Sequence, residues 1–230
     1  MAKRLFDIVA SSIALLIVAP LLLLAAIGIR LSSRGPILFR AQRAGRNGTP
    51  FVMHKFRTMR SDQGPGGPAI TSHGDRRVFP FGRLLRVLKI DELPQLYDVL
   101  RGEMSLVGPR PEDLRIVREH YAPEHWETLS VRPGLTSPGS IYGYTHGEKL
   151  IGRQDPEKDY LERLLPVKLS LELVYLRRAS LLYDVRVMAR TAGVIALIAL
   201  GRREFGDPPE LAMIDRVVPA QGNQRQPPAP

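Results

Sequence analysis

The sequence predicts an α+β fold, mostly helical, in which a re-entrant membrane helix bent at Pro20 precedes a small globular cytosolic domain with interfacial amphipathic helices. Three observations predict it. Residues 8–29 form an uncharged, almost wholly apolar run of 22 residues, the length at which a segment reads as a membrane helix. Residues 35–59 contain two short stretches with partial apolar and polar alternation, as strands have. Several later segments space their leucines at helical intervals.

The opening run is flanked by Lys3 and Arg4 on one side and by Arg30 and Arg34 on the other. Basic flanks favour the cytoplasmic side, so a single crossing satisfies only one of them. A helix that enters and leaves on one face satisfies both. Pro20 removes an intrahelical hydrogen bond and bends the helix. Ser11 and Ser12 can bond helix carbonyls, though not the one that Pro20 frees. A signal peptide has a shorter core and a small-residue cleavage site, whereas Arg30 follows this run directly.

Residues 1–34 are thus the membrane unit, 35–200 the globular domain and 201–230 a flexible tail rich in Pro and Gln. Within the domain, GPILFRAQRAGRNG (35–48) reads as a short strand with a turn, and FVMHKFRTM (51–59) as a second strand. Residues 61–74 are a Pro/Gly loop. FGRLLRVLK (81–89) is an amphipathic helix whose arginines can meet lipid phosphates. DELPQLYDVL (91–100) is a second helix with Asp91 at its N-cap, Pro94 in the first turn and Gly102 closing it. SLVGPRPE (105–112) and RPGLTSPGSIYG (132–143) read as loops because of their prolines. Residues 114–120, 159–178 (interrupted near Pro166) and 180–200 are helical, the last packed on the core or lying at the interface.

The formal net charge is +10 and there is no cysteine. Disulfides, zinc–thiolate sites and thiol catalysis are therefore excluded. The charge implies an anionic partner: nucleic acid, an acidic membrane or a phosphorylated substrate. The chain lacks a recognisable nucleic-acid reader motif, and its arginines are scattered through loops and helices, which disfavours nucleic acid.

Three groups of residues suggest phosphate chemistry. Lys55 and Arg57 stand two apart on a strand, hence on one side of it, where an anion between them gives the arrangement a purpose. Asp91 and Glu92 are adjacent carboxylates with Arg86 before them and Arg110 after. Carboxylates among cations stay ionised, and such a pair can bind Mg²⁺ against a diphosphate or attack phosphorus directly. The cations would neutralise charge on the transferring phosphoryl group. Arg110 sits between Pro109 and Pro111 on a stiff loop, which suits a two-pronged grip on phosphate.

Together, GPILFRAQRAGRNG, KFRTM, DELPQLYDVLRGEMSLVGPRPE and VRPGLT, in that order, resemble the small monotopic phosphoglycosyl transferases of bacteria. The resemblance implies that Asp91 is the nucleophile, attacking the β-phosphate of a UDP-sugar to release UMP, and that polyprenyl phosphate then takes the phospho-sugar from it. It implies Mg²⁺ held by Glu92 with Asp91, and phosphate or nucleotide contacts from Lys55, Arg57, Arg86, Arg110 and Pro111. The expected partners are the UDP-sugar, polyprenyl phosphate and anionic lipids, with a homodimer considered and nucleic acid not expected. The catalytic domain is expected on the cytoplasmic face of the bacterial inner membrane, in a minimal form of the family. The chain departs from many members at Ser137–Pro138–Gly139–Ser140, a loop that could touch the sugar, and at Ala19, where relatives have Ser.

Overall fold

In the computed structural model, which describes residues 1–60, 75–152 and 154–217, helix α1 (Ala2–Ser32) is assigned without interruption through Pro20. The expected bend is therefore not marked by a break in the helix. Leu15, Val18 and Leu22 pack against the domain on both sides of the proline, which helps hold the helical path across it. Ser11 donates to the Asp7 carbonyl at 2.5 Å, the local bond expected of it.

Both ends of α1 are tied to the same globular body. At the start, Arg4 donates to the carbonyls of Val99 and Leu100 at 2.6 and 2.9 Å, at the last turn of another helix, where a cation is favoured. Buried Asp7 accepts from Ser105 Oγ at 2.9 Å and from the Leu106 amide at 3.2 Å. At the far end, Ala25 and Ile29 are buried with Phe56, Phe79 and Leu85. The opposite face of α1 exposes Leu5, Val9, Ile13, Leu16, Leu23, Leu24, Ile27 and Leu31, a stripe at helical spacing along nearly its whole length.

Strands β1 (Leu38–Ala44) and β2 (Pro50–Phe56) pair antiparallel, from Leu38 opposite Phe56 to Ala44 opposite Pro50. Asn47 and Gly48 at the tip have φ of 57° and 73°, the left-handed region that Asn-Gly tolerates. The Pro/Gly loop read at residues 61–74 lies outside the described residues. Helix α2 (Pro80–Val87) packs so tightly on Thr58 that a Cβ at Gly82 would lie 2.4 Å from the Thr58 carbonyl oxygen.

Three segments differ from the sequence reading. Asp91 does not cap a helix: residues Ile90–Glu92 form a 3₁₀ turn, and α3 (Gln95–Arg101) starts after Pro94. Lys89, with φ of 55°, redirects the chain just before this turn. Gly102, at φ 86°, closes α3 as expected. The stretches read as loops at 105–112 and 132–143 contain β3 (Ser105–Val107) and β4 (Gly134–Thr136), which pair in parallel. These strands are too short for alternation to reveal them, and the prolines lie outside them. The second stretch also contains the start of α5 (Pro138–Leu150), where Ser137 is the N-cap and Pro138 occupies the first turn, a position proline favours.

Helix α4 (Leu114–His120) matches expectation. The interruption expected near Pro166 takes the form of α6 (Pro156–Asp159), a π-helical turn (Tyr160–Leu164) and α7 (Leu165–Arg178). Helix α8 (Leu181–Ala199) is capped by Ser180. Of the tail from residue 201, the described part reaches residue 217. Glu210 is buried, with Arg190 at 2.5 and 3.1 Å and Tyr183 at 2.7 Å, and α9 (Ile214–Val217) follows. The main core gathers Met53, Val99, Met104, Val107, Tyr175 and Val187.

Candidate active site

The 3₁₀ turn at Ile90–Glu92 presents its two carboxylates to a ring of cations drawn from four elements. Strand β2 supplies Lys55, the end of α2 supplies Arg86, the left-handed Lys89 follows it, and the loop after β3 supplies Arg110. Arg110 grips Glu92 with both prongs: Nη1 to Oε2 and Nη2 to Oε1, each at 2.8 Å. The Tyr144 hydroxyl of α5 donates to Glu92 Oε2 at 3.2 Å. Lys89 Nζ lies 3.9 Å from the centroid of the Tyr144 ring, a cation–π contact.

The neighbouring carboxyl is treated differently. Asp91 is 6% exposed, and its Oδ1 has no hydrogen-bond partner among the described residues. Burial, with Glu92 beside it, pushes Asp91 up to about 6 against the pull of Lys89, Lys55 and Arg86. Burial acts on Glu92 too, but Arg110 and Lys89 outweigh it and hold that carboxyl down at about 2. The two acids are thereby split into one held low by its cations and one raised by burial. Burial lowers Lys55 to about 8, although Asp91 and Glu92 work to keep it charged. Four cations thus face two carboxylates, a surplus of positive charge suited to phosphate groups.

The loop that carries Arg110 is braced from behind. Glu172 of α7 accepts from the Arg110 amide at 3.3 Å and from Ser137 Oγ at 2.6 Å, joining that loop to the start of α5. A Cβ at Gly139 would meet the Lys168 carbonyl oxygen at 2.9 Å and Glu172 Oε1 at 2.5 Å, so a side chain there would displace the brace. Pro111 is buried beside Glu112, which accepts from Lys168 at 2.7 Å and Tyr160 at 2.5 Å. Ser137 and Pro138, in the stretch read as a loop that could touch the sugar, are buried, and Ser137 bonds this brace.

Lys55, Arg86, Asp91, Glu92 and Arg110 are brought together, with Arg86 held at 2.8 Å by Thr58 Oγ1. Arg57 is not. Its guanidinium is used on Ser33 Oγ and the carbonyls of Ser33, Pro36 and Met59, between 2.5 and 3.3 Å. It clasps the end of α1 to the domain. Strand β2 ends at Phe56, so the parity that would align Arg57 with Lys55 no longer applies there. Pro20 lies on the exposed side of α1, apart from the site. Sequence reasoning missed Lys89, Tyr144 and Glu172. Lys89 stood next to the acidic pair, which was a usable signal; the other two are distant in sequence and carry none.

Among the described residues no group of three or more His, Asp or Glu forms a metal cage. Mg²⁺ needs only one or two carboxylates, completing its shell with water and substrate phosphates. The buried, unpartnered Asp91 oxygen beside an ionised Glu92 fits that requirement.

A family profile described as bacterial sugar transferase matches residues 1–197. The chain is 39% identical over 192 residues to the UDP-glucose:undecaprenyl-phosphate glucose-1-phosphate transferase of Caulobacter vibrioides, covering 82% of this chain and 67% of that protein. It is 42% identical over 199 residues to the undecaprenyl-phosphate glucose phosphotransferase of Komagataeibacter xylinus, covering 82% of this chain but only 35% of that longer protein. The exopolysaccharide production protein PSS of Rhizobium leguminosarum bv. phaseoli is 37% identical over 196 residues, or 82% of this chain and 92% of that protein. With a match along almost its whole helical and catalytic body, the chain belongs to the bacterial sugar transferase family.

Proposed function

We propose that this chain transfers a sugar-1-phosphate from a UDP-sugar to polyprenyl (undecaprenyl) phosphate, releasing UMP, as a first membrane step of glycoconjugate synthesis. The observation that carries the reading is the split carboxylate pair: Asp91 buried with an unpartnered oxygen, next to a Glu92 clamped by Arg110, among Lys55, Arg86 and Lys89. The names of the relatives support the donor and acceptor classes.

In this mechanism a carboxylate oxygen of Asp91 attacks the β-phosphorus. An oxygen–phosphorus bond forms, the bond from that phosphorus to the bridging oxygen breaks, and UMP leaves with the bridging oxygen. An oxygen of polyprenyl phosphate then attacks the same phosphorus, and the Asp91 bond breaks to restore the carboxylate. Lys55, Arg86, Lys89 and Arg110 offset the phosphoryl charge. Arg110 and Tyr144 keep Glu92 ionised and oriented. Asp91 and Glu92 would hold Mg²⁺, which when bound supplies charge neutralisation on the diphosphate; loss of turnover in excess chelator, restored by Mg²⁺, checks this.

The topology proposed is monotopic, with α1 re-entrant and the domain on the cytoplasmic face of the inner membrane. Its support is that both ends of α1 are bound to one body while the outward stripe is apolar. Arg57 contributes through that anchorage, and phosphate contact is assigned to the other cations.

Mass spectrometry of enzyme incubated with its UDP-sugar alone is the test. A sugar-phosphate adduct on the peptide containing Asp91 is expected. Its absence in enzyme that turns over when the acceptor is added would remove the covalent route.

A further inference from the structure

A cavity of about 440 Å³ opens between α5 and the end of α8, with Tyr144 as one wall and Lys149, Ile198, Arg202, Arg203 and Phe205 among the others. Tyr144 is the residue bonded to Glu92, so the cavity and the carboxylate pair share this one side chain, while neither carboxylate lines the cavity itself. Arg202, Arg203 and Phe205 lie beyond the family-matched residues 1–197, in the segment that Glu210 anchors through Arg190 and Tyr183.

The cavity has a cationic floor and an apolar approach. The last turns of α8 expose Leu197 (37%) and Leu200 (84%), next to Ile198 at the rim. Lys149 and Arg203 have carboxylate neighbours, Glu204 at 3.7 Å and Glu148 at 3.8 Å, but all four side chains are at least half exposed. Such long, exposed pairs are weak, and an incoming phosphate can displace them. Arg202 covers one face of Phe205 at 5.2 Å, as Lys89 covers one face of Tyr144, which leaves a flat base fewer surfaces to stack on. A nucleotide also has no use for exposed leucines, whereas a phosphate on an apolar chain uses both features.

Building on the transferase reading, we infer that this cavity is the seat of the acceptor: a prenyl monophosphate, its phosphate on Lys149, Arg202 and Arg203 and its chain over Ile198, Leu197 and Leu200. The acceptor then reaches the phosphorylated Asp91 from the α5–α8 side.

The test uses the full chain in detergent, with farnesyl phosphate as the probe and farnesol and inorganic phosphate as controls. Farnesyl phosphate is expected to bind more tightly than either control, and the double variant Arg202→Ala/Arg203→Ala to bind it at least about tenfold more weakly. Unchanged binding by that variant overturns the inference whether or not the chain turns over. Kinetics give the second arm: KM for polyprenyl phosphate is expected to rise about tenfold. Exchange of labelled UMP into the UDP-sugar, which needs no acceptor, is the comparison. A parallel fall in exchange assigns the cavity to the donor and overturns the proposal. Failure of the transferase reading itself looks different: wild-type chain would bind farnesyl phosphate yet catalyse no exchange with any UDP-sugar.

Discussion

Arg110 holds Glu92 through two parallel 2.8 Å hydrogen bonds, and in doing so separates the fates of two adjacent carboxyls. The one it grips is held well below the ordinary carboxylate range by that guanidinium. Asp91, one residue earlier, is buried with an oxygen to spare. The two acids are distinguished by surroundings alone, since residue type hardly differs; on the proposed mechanism one is the nucleophile and the other its support.

Replacing Asp91 with Asn is expected to reduce turnover by at least about a thousandfold, followed as UMP release. The same variant should be more stable than wild type. Burial lifts Asp91 from 3.8 to about 6, so the native state binds more protons than the unfolded chain between those values, and stability falls as pH rises through them. At neutral pH the buried charge costs about 2–3 kcal/mol, which Asn relieves. Thermal unfolding in detergent reads this; a variant less stable than wild type would contradict the strained carboxylate.

The pH profile of kcat/KM for the donor should carry an acid limb near pH 6, well above the ordinary aspartate range, because the attacking group must be ionised. Below it the rate should drop about tenfold per pH unit. A limb at pH 4 or lower would mean that Asp91 is better solvated than its burial implies.

Arg110→Lys keeps the charge but cannot supply two parallel donors. A loss of about 10–100-fold in kcat/KM is expected, by analogy with loss of groups that orient a site. Arg110→Ala should be worse in a different way. It leaves the partly buried Glu92 without its counter-charge and should destabilise the fold by about 1–3 kcal/mol, visible as a lowered unfolding temperature.

Glu172→Gln should be tolerated within a few-fold, since burial already raises the Glu172 carboxyl to about 7 and the amide oxygen can still accept from Ser137 and the Arg110 amide. Glu172→Ala removes the link between the Arg110 loop and α5, and about a tenfold fall in kcat is expected. Equal effects from both variants would argue that Glu172 only fills space.

The chain has no cysteine, so Ala2→Cys and Arg34→Cys can be labelled singly in intact vesicles. Both are expected to react from the same face. Opposite faces would make α1 a spanning helix and would conflict with its two points of attachment to one domain.

Where local rules sufficed, the sequence was informative. The membrane-length apolar run, the α2 and α8 helices, the turn glycine at 102 and the acidic pair with its nearby cations all follow from composition and spacing. It failed where a strand of three residues, β3 or β4, exists only because its partner approaches within reach of Gly108 and Gly134. Nor did it reveal that Arg57 is spent on the end of α1, or that Glu210, in the described part of the tail, is held by Arg190 and Tyr183.

What the sequence determined by itself is the inventory: an apolar helix, two carboxylates side by side and enough arginine and lysine to hold phosphate. Only the tertiary structure decided which carboxylate is free and which is clamped, because Arg110, Tyr144 and Glu172 come from three elements far apart in the chain. Their effect on a proton depends on distance and burial, and neither quantity exists until the chain has folded.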